Sequence, residues 1–168
     1  MADYIFDIDG TLADATHRLP LIRDSAFFVA KRPQLIPGPD WETFMSQDMV
    51  NKDTAISHTW TLLEMLHVKG HRIIFITGRN ESTRTDTLQW LLDTGMIHAP
   101  KWYLDSDLRV YMRSEKDHRP SDKVKREGLI RARDDGYRPV AVFEDRQCDA
   151  EMWRDEGLFC FHVAEGDF

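Results

Sequence analysis

The chain has 168 residues, 42% of them hydrophobic and 30% charged, which is ordinary for one soluble globular domain with a core of its own and room for a small insertion. Its net charge of −7, from 22 Lys and Arg against 29 Asp and Glu, argues against a protein that coats nucleic acid non-specifically, but not against one that takes a nucleic-acid end into a local cationic pocket. No apolar run is long enough to span a bilayer, residues 1–4 lack the basic and apolar regions of a signal peptide, and Cys148 and Cys160 are too few for a disulfide framework, so a cytoplasmic, reducing setting is expected.

Taken in chain order, Tyr4-Ile5-Phe6-Asp7-Ile8-Asp9 is a short apolar run ending in acids before Gly10-Thr11, the pattern of a buried strand and a tight turn. Residues 14–52 contain Pro20, Pro33, Pro37 and Pro39 between amphipathic patches and read as an insertion of short helices. Residues 53–69 carry Ile56, Trp60, Leu63 and Leu66 at helical spacing and stop at Gly70. A regular alternation follows: strand 71–77, helix 81–94, strand-like 102–104 and 108–112, helix 121–135, strand 139–143, helix 148–156 and strand 158–163. Alternating strands and helices with continuously apolar strands predict an α/β fold: a three-layer, Rossmann-like, mostly parallel sheet over residues 1–168, with a small helical cap insertion. Ligands of such sheets sit beyond the carboxyl ends of the strands, where the strand order switches.

Polar residues fall at those ends. Asp7 and Asp9 lie two apart, on one side of an extended strand, and two carboxylates that close repel unless a cation or proton intervenes. Magnesium is the natural partner, being a hard cation that keeps waters for a phosphate to replace. One carboxylate can attack phosphorus and the other can move the proton. A calcium loop, which also begins Asp-x-Asp-Gly, needs further acids that residues 13–19 do not supply. Thr77-Gly78-Arg79 ends the second strand and offers a hydroxyl and N–H groups to phosphate oxygens, although a plain capping turn with Asn80 or Ser82 has the same sequence signature. Glu144-Asp145 ends a third strand and can complete a metal site, and Lys123 or Lys125 can balance the charge; each alone is also what a solvated loop or helix face carries.

Together these residues resemble the haloacid dehalogenase superfamily over essentially the whole chain, with Asp7-Ile8-Asp9-Gly10-Thr11-Leu12, Thr77, Lys125 (or Lys123) and Glu144-Asp145 as its four motifs. Ile76-Thr77-Gly78-Arg79, Tyr111-Met112-Arg113, Asp117-His118-Arg119-Pro120, Val124-Lys125-Arg126-Glu127, Glu144-Asp145-Arg146, Glu151-Met152-Trp153-Arg154 and the stretch 163–168 are similar to the phosphatase domain of bacteriophage-type polynucleotide kinase/3′-phosphatase. The Val-Lys-Arg-Glu match selects Lys125. No P-loop of the form Gly-x-x-x-x-Gly-Lys-Ser/Thr occurs, so a phosphatase without the kinase is expected.

The resemblance implies a magnesium-dependent phosphomonoesterase in which Asp7 is nucleophile and metal ligand, Asp9 is general acid/base and touches the metal through its carbonyl, and Thr77 and Lys125 hold the phosphoryl group and the nucleophile. It implies Arg18 near the catalytic centre, Thr11, Gly78, Arg79, Arg113 and Arg119 on the substrate, and Asp145, more than Glu144, on the metal. The expected substrate is a nucleic-acid 3′-phosphate end, the rival is a nucleoside monophosphate or other small ester, and a catalytically silent binding module is a third reading that the intact acid set disfavours. No membrane and no obligatory protein partner is expected. In the cap, Phe27, Phe28, Trp41 and Phe44 are candidates to stack on a base, while burial tendencies favour a small cap core.

Overall fold

The computed structural model describes residues 1–22, 40–95 and 109–164. Its strands are β1 (Asp3–Phe6), β2 (Ala13–Asp14), β3 (Thr54–Ala55), β4 (Arg72–Asn80), β5 (Arg109–Arg113), β6 (Pro139–Glu144) and β7 (Phe159–His162). Its helices are α1 (Trp41–Phe44), α2 (Gln47–Val50), α3 (Ser57–Val68), α4 (Arg84–Gly95), α5 (Ser121–Asp134) and α6 (Gln147–Asp155). Five strands form one parallel sheet in the order β5-β4-β1-β6-β7, and β2 and β3 make a separate antiparallel pair. The chain starts in the middle of the sheet, winds outward through β4 and β5, and returns to β6 on the other side of β1. The carboxyl ends of β4, β1 and β6 are therefore neighbours at a switch in strand order, the usual place for a ligand.

Side-chain alternation divides the core into two layers. Phe6, Phe75 and Phe143 face Trp60 and Leu63 of α3 and Trp90 and Leu91 of α4. Their sequence neighbours Ile5, Ile74 and Val142 face Leu129 and Ala132 of α5 and Ala150 and Trp153 of α6. Phe6 stacks on Phe143 at 4.3 Å between ring centroids, and Phe143 on Phe161 at 4.7 Å, which registers the centre of the sheet against its β7 edge. At the amino end of β1, Asp3 takes two 2.7 Å bonds from Arg72 and one of 2.6 Å from Arg138 N–H, tying β1 to β4 and to the start of β6.

Three elements differ from the sequence expectation. The helix anticipated over 53–69 begins only at Ser57, because Thr54 and Ala55 pair with Asp14 and Ala13 as β3; its stop is as expected, two residues before Gly70, whose φ is +79°. The strand anticipated over 71–77 runs on to Asn80, paired there with Arg113 after a register shift, so Thr77, Gly78 and Arg79 are strand residues rather than a turn. The helix anticipated from 81 opens with a 3-10 turn, Glu81–Thr83, whose Ser82 N–H donates to the Asn80 side chain at 3.0 Å. The strand-like stretch 102–104, Phe27 and Phe28, and the end of the chain beyond residue 164 lie outside the described residues. Among the described residues no helix is long and apolar enough to cross a membrane.

Gly128 lets α5 lie close against β4: a Cβ built there would sit 2.7 Å from Ile76 Cγ2 and 3.5 Å from Tyr111 Cβ. Ile76 immediately precedes Thr77, so this contact sets the depth of the strand end. Alanine at 128 should improve helix propensity by up to about 1 kcal/mol but overpack a close-fitted core by about 1–3 kcal/mol. Gly128→Ala is expected to lower Tm, read by thermal melting, where a propensity effect alone would raise it.

Candidate active site

The segment after β1 is wound around one carbonyl. The N–H groups of Leu12 and Ala13 both donate to Ile8 O at 2.8 Å, and Gly10 N–H donates to Ala13 O at 2.8 Å. Ile8 and Leu12 are buried by this winding, which leaves Asp7 and Asp9 facing out of the sheet edge. Gly10 has φ +80°, and a Cβ there would collide with the Asp145 carboxylate, so glycine serves both the turn and the close approach of an acid from β6. The loop is fixed from α3: Trp60 Nε1 donates to Leu12 O at 3.0 Å, and the Thr59 hydroxyl donates to Thr11 O.

Two buried ionic networks meet here. In the first, Lys125 of α5 reaches Asp7 Oδ1 at 3.2 Å, both Glu144 oxygens at 3.0 and 2.8 Å, and Asp149 Oδ2 at 2.8 Å. Ser121 donates to Asp149 at 2.8 Å, and Trp153 Nε1 to Glu144 Oε2 at 3.0 Å. Burial would lower the Lys125 pKa, but Asp7, Glu144 and Asp149 outweigh it and hold the ammonium well above its usual range. Among the described residues one buried cation stands against four buried carboxylates once Asp145 is included. Asp145 is engaged only weakly by the Thr11 hydroxyl, at 3.5 Å, and Asp7 Oδ1 is buried without a hydrogen bond despite the nearby ammonium. Burial, only partly offset by Lys125, raises the Asp7 carboxyl, with Glu144, Asp145 and Asp9 adding to the rise. Burial and then Glu144 push Asp145 up to about 7. Oxygens of Asp7, Glu144 and Asp145 lie within 4.8 Å of one another, a hard-oxygen donor set short of positive charge, which fits a divalent cation.

In the second network, Asp9 Oδ1 accepts from Arg18 Nη2 at 2.6 Å and from Arg79 Nη2 and Nε at 2.6 and 2.9 Å. Asp53 stands behind, accepting from Arg18 Nε and Nη2 at 3.0 and 2.8 Å and from Arg79 Nη2 at 2.5 Å. Two arginines and two carboxylates balance. Burial raises the Asp9 carboxyl, but Arg79 and Arg18 outweigh it and hold it below the usual range. Neither arginine takes Oδ2.

Both networks open on a cavity of about 650 Å³, lined by Asp7, Asp9, Thr77, Lys125 and Asp145 at its reactive end. Thr77 is buried, and its Oγ1 accepts from Arg79 N–H at 3.2 Å. Gly78 also lines the cavity, with Ser121 Oγ and Arg113 Nη2 just beyond where a Cβ would be. A carboxylate held by an ammonium, a second carboxylate clamped beside it, a donor set for a cation and a hydroxyl at the neighbouring strand end form a constellation for phosphoryl transfer.

The model of the polynucleotide kinase PNKP phosphatase domain matches residues 42–168. The chain belongs to this family. It is thus a phosphatase domain of the haloacid dehalogenase type, a phosphoric monoester hydrolase. The structure of the Pnkp1/Rnl/Hen1 RNA repair complex contains a chain similar to it, at 25% identity and a TM-score of 0.68 over 100% of this chain and 44% of that one. A second structure of the Pnkp1/Rnl/Hen1 complex gives 26% identity and 0.68 over 99% and 47%. This chain thus spans less than half the length of each. A putative beta-phosphoglucomutase from Thermotoga maritima, at 17% identity and 0.58 over 100% and 88%, shares the fold.

The PNKP-type phosphatase places its motif residues unevenly against the sequence expectation. Asp7, Asp9, Thr11, Thr77, Gly78, Lys125, Glu144 and Asp145 converge, and Lys125 is the lysine brought among the acids while Lys123 points to solvent beside Asp122. Three arginines expected on the substrate are used differently. Arg79 is fully buried and spent on Asp9 and Asp53, because no water reaches it and only carboxylates can offset its charge. Arg113 uses Nε on Gly78 O and Nη1 on the carbonyls of Asp117 and Arg119, so it braces the loop after β5 and, among the described residues, has only Nη2 left for the cavity. Arg119 lies on the cavity wall but is paired to Asp117 and Glu127, the acids nearest in sequence and on the next helix turn. Arg18, expected near the centre, touches it only through Asp9. Asp53, Asp149 and Trp153 were not anticipated. Asp149 had a usable signal, four residues after Asp145 at the start of the helix that follows it; Asp53 had none, since its place depends on the β2–β3 pairing.

Removing Asp53 leaves two buried arginines with one carboxylate between them, and unpairing a buried charge typically costs about 3–5 kcal/mol. Asp53→Ala is expected to lower Tm by several degrees and to weaken turnover through Asp9. Measured melting and turnover equal to wild type would show the clamp to be dispensable.

Proposed function

We propose that this chain is a magnesium-dependent phosphomonoesterase that forms an aspartyl phosphate on Asp7 and acts on nucleic-acid 3′-phosphate ends. The observation that carries the chemistry is Asp7 itself: buried, its Oδ1 without a hydrogen bond, 3.2 Å from Lys125 Nζ, and opening on the same cavity as Thr77. In the first step an Asp7 oxygen bonds to phosphorus as the ester P–O bond breaks, and Asp9 gives its proton to the departing 3′-oxygen. In the second, water attacks the same phosphorus, Asp9 takes the water's proton, and phosphate leaves with Asp7 restored. The arginine clamp falls on Oδ1 and leaves Oδ2 to carry the proton; by lowering the Asp9 pKa it makes the protonated carboxyl a strong acid toward the alkoxide, and the carboxylate left by that step takes the water's proton in the second. Lys125, the Thr77 hydroxyl and the Gly78 N–H offset charge on the phosphoryl oxygens. Asp7, Asp145 and the Asp9 carbonyl would hold magnesium, which supplies further charge for the phosphoryl group; Glu144, with both oxygens engaged by Lys125 and Trp153, backs the site and reaches the ion at most through water.

The family to which the chain belongs, and the RNA repair assembly that holds the two neighbouring structures, support a polynucleotide end as substrate. Residues 14–52 would be the cap of a single phosphatase domain. A cytoplasmic setting accords with the thiols of Cys148 and Cys160, both free. A second reading, a mononucleotide phosphatase, draws support from the net charge of −7 and from the carboxylate pairing of Arg79 and Arg119.

Phosphate release from a 3′-phosphorylated oligonucleotide and a panel of nucleoside monophosphates, side by side with magnesium, separates the readings. The polynucleotide reading expects higher kcat/KM on the oligonucleotide and a steep fall with salt; preference for mononucleotides would sink it. Asp7→Asn should reduce turnover on either substrate by roughly four orders of magnitude or more. Turnover near the wild-type level would refute the nucleophile.

Magnesium binding should also depend on pH. With the Asp145 carboxyl pushed up to about 7 by burial and its acidic neighbours, its protonated form favours the metal-free fold below the ordinary carboxylate range, and that contribution is lost as pH rises through about 7. The cation then replaces the proton. At a hundred times its Kd, magnesium should raise Tm by about 5–10 °C at pH 8. At pH 5 the shift should nearly vanish; a shift equal at both pH values would contradict the site.

A further inference from the structure

The cavity is far larger than a phosphoryl group requires, and part of its wall is α1 and the residue after it: Trp41, Phe44 and Met45. Two aromatic side chains three apart on this helix have opposite fates. Phe44 is 1% exposed and Trp41 is 46% exposed. Phe44 is thus the cap's core residue, and its place is fixed twice from below: the Arg18 guanidinium lies over its ring at 4.4 Å, and Arg18 Nη1 donates to its carbonyl at 3.0 Å. Trp41 meets Phe44 edge to face, 5.6 Å between centroids at 79°, so the indole is backed by a rigid ring. The helix that carries both is fixed at its start, where Thr43 N–H donates to the Asp40 carboxylate at 2.9 Å and Asp40 N–H to Leu21 O at 3.1 Å.

We propose that Trp41 is the base-stacking platform of the active site, holding the nucleobase of the nucleoside whose 3′-phosphate is presented to Asp7. The inference rests on the nucleotide-ester reading above and names the residue that selects for it. Aromatic rings backed in this way accept any base face at little conformational cost, and stacking needs no free cation, which suits a wall whose Arg113 and Arg119 are largely engaged elsewhere. A slot of about 650 Å³ is also within the range of sites that enclose a nucleotide-sized ligand. Trp41 touches no reacting atom; it is a specificity residue, and its effect should appear only where the leaving group carries a base.

The test compares wild type, Trp41→Ala and Trp41→Phe on two matched pairs: thymidine 3′-phosphate against glycerol 2-phosphate, and a 3′-phosphorylated oligonucleotide against the same strand ending in an abasic 3′-phosphate residue. Because Trp41 is half exposed, both variants should melt within a few degrees of wild type. On the substrates with a terminal base, Trp41→Ala should raise KM about 5- to 150-fold with kcat little changed, and Trp41→Phe should restore most of it. On the base-free partners all three proteins should agree within about twofold. Equal losses on both members of a pair would assign Trp41 to the cap's structure and overturn the proposal, as would no loss on the substrates with a base. Hydrolysis of thymidine 3′-phosphate without hydrolysis of the oligonucleotide would refute the polynucleotide reading, and the first pair would still decide the platform.

Discussion

Six carboxylates, Asp7, Asp9, Asp53, Glu144, Asp145 and Asp149, share one edge of the sheet, and none is more than 9% exposed. Burying that much like charge is tolerable only where cations or protons offset it, and three cations, Arg18, Arg79 and Lys125, are buried among them. The arrangement of the site follows from how those three are shared. Arg18 and Arg79 pair with Asp9 and Asp53, two charges against two, so that half of the edge is self-contained. Among the described residues Lys125 is the buried cation paired with Asp7, Glu144 and Asp149, and Asp145 stands beside them, so the other half keeps a charge deficit on the cavity side. An imbalance of this kind is costly for the fold and useful for a site that receives a cation and a phosphate ester together.

The scaffold exists to hold this imbalance in place. β1 is the central strand, so the two aspartates beyond its end are flanked by β4 and β6 without any long loop. The Phe6–Phe143–Phe161 stack and the close fit of Gly128 on Ile76 fix strand depth on opposite faces of the sheet. The β2–β3 pair then brings Asp53 back over Asp9, and Trp90 Nε1 holds the Asp53 carbonyl at 2.8 Å, so the second network is anchored in the hydrophobic core rather than in solvent. Through Phe44 the same network reaches the cavity wall, which links Asp9, the proposed acid/base, to that wall.

Particular residues separate what could be read along the chain from what could not. The apolar run before Asp7 marked the central strand, and the glycine stops at 70, 136 and 157 bounded three helices to within two residues. The first and fourth motifs pointed to carboxylates at strand ends because composition there is anomalous for a buried strand. Arg79 could not be placed for the opposite reason: an arginine just after Thr77 and Gly78 has the same sequence signature whether it meets substrate or another acid. Trp41 and Phe44 were equivalent in sequence, and only packing buried one and exposed the other.

The sequence by itself determined the strand and helix order, the parallel α/β class and the acids at the strand ends, since hydrophobic periodicity and turn residues are local properties of the chain. Tertiary structure alone decided which cation pairs with which acid, that Asp53 closes on Asp9 and Asp149 on Lys125, and which of the two aromatic rings of α1 is left exposed. Those pairings join residues up to 118 positions apart, as Asp7 and Lys125 are, and depend on distances of a few ångströms that exist only once the sheet order and the β2–β3 register are set.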